Sequence, residues 1–331
     1  MKFVMKKIRI LLSLLLTSAF LLSNASGLAD AEGLSNWELI EILGNREFNF
    51  SSGVGGWGTN LYIGSDGYFF GIYHDSDMGV SSDGYPNGTL FYCPFEGKFT
   101  FPEYVPEGAT SVQITLERIY YHGLEKYGES VESYGEENRD GVRLIYSGPY
   151  GLEGTKTFTL YFPQHLKAYT SEEFRSWARS TGIGAPDYNE DQLGFFALCN
   201  DINQQGFSSH IVSENRSQIL KYIIATGIEA EKKSSVKGLS VAEMTDSSEA
   251  VYRIWDNALN AIWSVILNNI GGESKQYLIE SETKWIDWKE ISATKEASQF
   301  AGSSLYSLYY YTALADRTRW RCYDLLDYFY P

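Results

Sequence analysis

Apolar positions along this chain follow two different periods. From about Phe48 to Ile224, short aromatic and β-branched runs alternate with polar residues. Short runs of this kind predict strands. The clearest lie at 61–63, 68–73, 89–92, 97–100, 112–116 and 157–161. Turn formers separate them: Ser65-Asp66-Gly67, Asp83-Gly84, Pro86-Asn87-Gly88 and Pro106-Glu107-Gly108. Many short strands at this spacing predict an antiparallel sheet, closed into a barrel or paired into a sandwich. Within this stretch 170–179 has helical spacing, with Ser171 as N-cap and Phe174 and Trp177 on one side.

After Asp246 the spacing changes to three and four, that of one helix face. A first helix is expected over 246–270, opened by a capping-box-like Asp246-x-x-Glu249. Gly271-Gly272 stops it, because glycine tolerates the left-handed conformation at a helix end. A second helix is expected over 273–300, with Leu278, Trp285, Trp288 and Ile291 inward. Ala301-Gly302-Ser303-Ser304 breaks it, and Ser303 or Ser304 caps a third helix to about 328. Short loops make neighbouring helices antiparallel. Residues 229–245 are charged and poor in large apolar side chains, so they read as a linker. The expectation is an α+β multidomain chain: a β-rich domain over 32–228, the linker 229–245 and an antiparallel helical bundle over 246–331.

The first 31 residues add a compartment. Lys2, Lys6, Lys7 and Arg9 form a basic start, residues 10–22 are apolar except Ser13, Thr17 and Ser18, and Ala29-Asp30-Ala31 supplies a cleavage pattern. This is the layout of a secretory signal peptide, and about a dozen apolar residues are too few to span a bilayer. An uncleaved anchor is the alternative. Cleavage would leave a secreted or envelope-associated soluble protein with no membrane span.

Net charge is −15, and would be −18 without residues 1–31, which hold those four bases and the single acid Asp30. Acidity of this size repels nucleic acid and anionic membrane, attracts cationic partners and favours solubility. Of the three cysteines, Cys93 and Cys199 sit in strand-like apolar runs. In an exported chain they are the expected disulfide, with Cys322 a buried thiol.

Three blocks in the helical part share internal spacing. They are Asp256-x-x-Leu259-Asn260-x-x-Trp263, then Glu282-x-x-Trp285-x-x-x-Lys289-Glu290, then Thr318-x-x-Arg321. Together they resemble the lysozyme-inhibitor LprI-like family, whose pattern is Asp-x-x-Leu-Asn-x-x-aromatic, Gln-x-x-Trp-x-x-x-Arg-Asp and Thr-x-x-Arg. The likeness covers about 75 residues from Trp255. It implies a secreted helical module that binds a protein such as lysozyme, and a structural role for Asp256, Leu259, Asn260, Trp285, Lys289, Glu290, Thr318 and Arg321. Glu282 stands where Gln is usual, and Lys289-Glu290 where Arg-Asp is usual. The cysteines the family commonly carries are replaced by Ser292-Ala293 and Thr312-Ala313. Packing by Trp255, Trp263, Trp285 and Trp288 must then hold the helices together. The segments 50–59, 73–79, 85–89 and 93–99 resemble the front half of exported proteins of Gram-positive bacteria, which implies no activity.

Other chemistry is thinly signalled. Asp256 or Asn260 could bond Arg321 across helices, with Glu282 pairing a base. His74-Asp75-Ser76-Asp77 brings acid, base and hydroxyl together and reads best as a loop. Ser208-Ser209-His210 and the acids Glu136, Glu137, Asp187, Glu190 and Asp191 are common features of an acidic chain. There is no nucleophile elbow, zinc helix or phosphate loop, so no catalytic residue, cofactor or metal site is expected. Three function classes stay open: a binding or inhibitor protein aimed at a cationic extracellular protein, an envelope glycan-binding module, and a hydrolase with an unrecognised site.

Overall fold

The computed structural model describes residues 33–53, 56–77, 79, 84–124, 130–132, 141–180 and 191–326. The expected signal peptide lies outside the described residues, as do Glu136, Glu137, Asp187 and Glu190. Strand β1 (Leu34–Ser35) leads into helix α1 (Asn36–Leu43), whose start is held by the Ser35 amide donating to Glu38 Oε2 at 2.9 Å. The alternating stretch then gives β2 (Arg46–Ser51), β3 (Trp57–Ile63), β4 (Tyr68–Asp77), β5 (Thr89–Thr100), β6 (Tyr104–Val105), β7 (Ser111–Tyr121), β8 (Ser130–Glu132), β9 (Arg143–Ser147) and β10 (Thr157–Tyr161). Helix α2 (Glu172–Ser180) follows, then β11 (Ala197–Asn200) and β12 (Gly206–Ile211).

Eight of these strands close a barrel in the order β4-β3-β2-β12-β11-β10-β7-β5, with β5 paired back to β4. Every pairing within it is antiparallel, and closure leaves the barrel without a free edge. Of barrel and sandwich, the barrel is formed. The runs at 89–92 and 97–100 are the two ends of one twelve-residue strand. Its first part pairs in parallel with β9, outside the barrel, and its second part pairs antiparallel with β7. Phe48, Phe50, Leu61, Phe69, Phe95, Phe99, Phe158 and Phe207 fill the interior. Burying each such side chain stabilises the fold by roughly 1.5–3 kcal/mol. Leu39, Ile40 and Leu43 of α1 join the same core. The α1 helix packs against the turn Ser65–Gly67 and so covers the end of the barrel where β3 passes into β4.

Four long helices follow: α3 (Glu214–Ser234), α4 (Val241–Asn269), α5 (Gly272–Ala297) and α6 (Leu305–Asp324). Helix α3 corrects the strand-like reading that ran to Ile224. Its Ile and Leu residues are not spaced by two. Ile219, Leu220, Ile223 and Ile224 lie one and four apart on one buried face, and Ser213 accepts from the Arg216 amide. The stretch expected to be a linker is mostly helix. Residues up to Ser234 belong to α3, and α4 begins at Val241 behind a reciprocal Ser240–Glu243 capping box, five residues before the expected start. Two further details differ. The second helix ends at Ala297 and passes into the 3₁₀ turn Ser298–Phe300. Ile291, expected inward, is 66% exposed. The inward stripe of α5 is Leu278, Glu282, Trp285, Lys289 and Ala293, and Ile291 falls off it.

Barrel and helices share a core. Tyr62, Tyr68 and Phe70 on the barrel's outer wall pack with Leu220, Ile223 and Ile224 of α3 and with Trp255, Trp320 and Tyr323. Phe70 stacks on Tyr323 with centroids 4.5 Å apart and planes at 5°. Both parts belong to one compact unit that begins at Leu34.

The expected disulfide is corrected: Cys93, Cys199 and Cys322 are three free, buried thiols. Two strands separate β5 from β11, and the register sets Cys199 level with Thr159 and Gln113, beyond the Thr100 end of β5 and away from Cys93. They also face opposite ways. Cys93 points into the barrel core, whereas Cys199 packs outside it with Phe174 and Ala178 of α2. Burial pushes both thiols up to about 12.

Candidate functional site

The three motif blocks converge on a polar seam inside the helical region. Glu282 and Arg321 come together across α5 and α6. Arg321 donates from Nε at 2.9 Å and Nη2 at 2.8 Å to one oxygen of Glu282, and both side chains are buried. The acid expected to pair with a base has therefore found Arg321. Asp256 and Asn260, expected to reach Arg321, do not. Asn260 is exposed and donates within α4, to the Asp256 carbonyl at 2.7 Å and its carboxylate at 3.2 Å. Asp256 lies 3.9 Å from the buried ammonium of Lys289.

Lys289 is held by aromatic and hydroxyl groups. It donates to Tyr252 Oη at 3.2 Å and sits 5.1 Å and 5.3 Å from the ring centroids of Tyr252 and Trp285. Arg321 stands 5.6 Å from the same Trp285 ring, so one indole serves two cations. Glu290 accepts from Tyr310 at 2.5 Å. Thr318 is wholly buried and returns its hydroxyl to the Leu314 carbonyl at 2.7 Å. Leu259 is buried in the core shared with the barrel.

At the positions of the missing family cysteines, small side chains do the holding. Ala293 and Ala313 are buried together with Leu314 in a separate core cluster. Ser292 accepts from Arg317 Nε at 2.6 Å, and Thr312 donates to Ser248 at 3.2 Å. Trp255 and Trp285 are buried, and Trp263 and Trp288 pack half-buried against them.

A second polar cluster joins α6 to the barrel. Glu96, on the outer face of β5, accepts from Arg319 at 2.7 Å and from Tyr323 at 2.8 Å. Arg319 also donates to Asp316, and Tyr92 donates to Asp324. Burial pushes the Asp316 carboxyl up, but the Arg319 guanidinium, His122 and the Trp320 indole together hold it below its ordinary value. His122 lies 3.7 Å from Asp316 and packs on Tyr146 and Trp320. Burial pushes its imidazole down to about 4, so near pH 7 it is neutral and meets Asp316 as a dipole. Arg216 of α3 completes the junction, donating to Tyr62 Oη at 3.2 Å from Nε and to the Leu326 carbonyl at 2.7 Å. None of these junction residues was signalled by spacing. The Glu96–Arg319 pair spans 223 positions, and nothing local marks either partner.

The remaining candidates are dispersed. His74-Asp75-Ser76-Asp77, read as a loop, is the end of β4, where pairing with β5 continues to Asp77. Side chains then alternate between faces and the four do not converge. Ser208, Ser209 and His210 alternate likewise along β12. Among the described residues no three His, Cys, Asp or Glu side chains form a metal-ligand group. No described helix is long and apolar enough to cross a membrane.

No curated protein and no solved structure matches the chain. Residues 232–325, which hold α4, α5 and α6 with the polar seam of Glu282, Lys289 and Arg321, match the family model described as Lysozyme inhibitor LprI.

Proposed function

We propose that this is an exported, non-catalytic binding protein whose helical region engages a cationic lysozyme-type muramidase. The observation that carries the reading is the family match over residues 232–325. The geometry supports it. The motif residues Trp285, Lys289, Thr318 and Arg321 are buried and hold the helices in register, which leaves the outer faces of α5 free for a partner. The helices are also set firmly on the barrel.

The charge distribution changes how such a partner would be drawn in. Residues 232–325 carry 12 acids against 11 bases, whereas residues 32–231 carry 28 acids against 12 bases. The negative field therefore belongs to the barrel part, and the helical part is nearly neutral. Steering of a cationic enzyme comes from the barrel, and short-range contact from the helices. The full chain is the proper reagent because the two parts share a core.

The test is titration of the full chain against a cationic lysozyme at low and at physiological salt, with turnover of cell-wall substrate followed in parallel. Saturable binding with loss of turnover at physiological salt supports the proposal. Binding at low salt alone reduces it to charge attraction, which is screened beyond about 8 Å at physiological ionic strength. Absence of binding at both salts removes it.

A further inference from the structure

The barrel carries an unusual cation. In β2, Arg46 shares a face with Phe48 and Phe50, which are buried in the barrel interior. Its side chain therefore points inward, at the end covered by α1. On the neighbouring strand β12, Ser209 lies opposite Phe48 and so on the same inner face. Arg46 itself lies opposite Ile211, which makes Ser209 its diagonal neighbour, about 7–8 Å away. The Ser209 amide donates to the Phe196 carbonyl at 2.9 Å, and the Phe196 ring lies under the Arg46 guanidinium, 4.8 Å from centroid to Cζ.

Two polar groups at this place lack partners. Arg46 is half-buried as a residue, but its Nε is sealed from solvent and has no acceptor among the described residues. Ser209 is 8% exposed, and its hydroxyl is equally without a partner. Elsewhere Arg118, Arg175, Arg216, Arg317, Arg319 and Arg321 each donate to an oxygen. The next residue in the chain, Glu47, faces the outside of the barrel and approaches Arg216 and His210 instead. Burial pushes the Arg46 guanidinium below its ordinary value, with no carboxylate offsetting it. A guanidinium does not escape such a setting by losing its proton. An aromatic face offsets only part of the lost hydration.

We propose that Arg46 and Ser209 form an oxyanion niche at the α1-covered end of the barrel, one that takes the carboxylate or phosphate group of a small ligand. The planar guanidinium fork matches two oxygens of such a group, and the serine hydroxyl supplies a further donor. Phe196, with Phe162 5.6 Å from it, keeps the niche apolar on one side, which strengthens a charge-assisted bond. Deeper in, the barrel is filled by Phe48, Phe50 and Phe207, so only a head group enters. The rest of the ligand leaves along the rim beside Ile211, which is exposed.

The test is calorimetric titration of the full chain in a phosphate- and carboxylate-free buffer with inorganic phosphate, and separately with acetate. One saturable site per chain is expected for at least one of them, and which one binds identifies the head group. Arg46→Gln should weaken that binding at least tenfold, Arg46→Lys should retain part of it, and Ser209→Ala should weaken it less. Without either anion, Arg46→Gln should melt no lower than the parent, because an unpaired cation has been removed. No saturable binding of either anion, undiminished binding by Arg46→Gln, or a lower melting temperature for that variant in the anion-free buffer would each overturn the proposal.

Discussion

Arg321 and Glu282 illustrate how much one buried pair can matter. Both of the guanidinium's bonds go to a single carboxylate in a site closed by Trp285. Arg321→Ala leaves Glu282 charged and unpaired, and is expected to cost about 3–5 kcal/mol in urea unfolding. The double variant Arg321→Met with Glu282→Leu should recover most of that loss, since two apolar side chains replace a desolvated pair. A parent-like Arg321→Ala would mean the site is wet.

His122 gives a second test at this scale. Its folded pKa of about 4 lies below the ordinary 6.5, so the unfolded chain takes up its proton first. The stabilisation is full above about 6.5 and is lost as pH falls toward 4, by about 3 kcal/mol at most. His122→Gln should flatten the fall in urea midpoint between pH 7 and 4 relative to the parent. An unchanged slope would show that the carboxylates alone set it.

At the scale of elements, α3 decides how the helices meet the barrel. Gly227 faces Tyr68, and a Cβ built there would stand 3.2 Å from its ring and hydroxyl. Gly227→Leu should therefore push α3 off β4 and destabilise by about 1–3 kcal/mol. Gly227→Ala should be near neutral, because about 1 kcal/mol of helix propensity offsets the tight contact. Equal melting of the leucine variant and the parent would show that this packing yields freely. In α5 and α6, where the resembled family commonly carries cysteines, Ala293 and Ala313 pack in one cluster. The small residues bring the helices together without a covalent bond.

At the scale of the molecule, the helices are not a separate body. Tyr323 stacks on Phe70, Arg319 meets Glu96, and Arg216 ties the Leu326 carbonyl to Tyr62. Limited proteolysis should cut first in the connection 235–240, where regular structure stops between α3 and α4. The fragments should nevertheless co-elute in native buffer and part only in denaturant. Separation without denaturant would show that the shared core is weaker than its buried aromatic area implies.

The sequence by itself determined the local periods. Short aromatic and β-branched runs at 61–63, 68–73 and 157–161 marked strands, and spacings of three and four after Asp246 marked helices, because each pattern is set within a single element. Spacing placed Trp285 on one helix and Thr318 and Arg321 on another, and the family resemblance, not spacing, grouped them. The Ile-rich run of α3 was misread because an apolar stretch with few polar interruptions satisfies either period. The tertiary structure alone decided the closure of the barrel, since β2 pairing with β12, Arg46 opposite Ile211, joins strands 165 positions apart and depends on strand curvature summed around eight strands. It alone placed Cys93 inside and Cys199 outside, because which face a strand buries is fixed by its neighbours. It alone brought Glu96 to Arg319 and Arg46 to Phe196, pairs separated by 223 and 150 positions, for which sequence spacing carries no information.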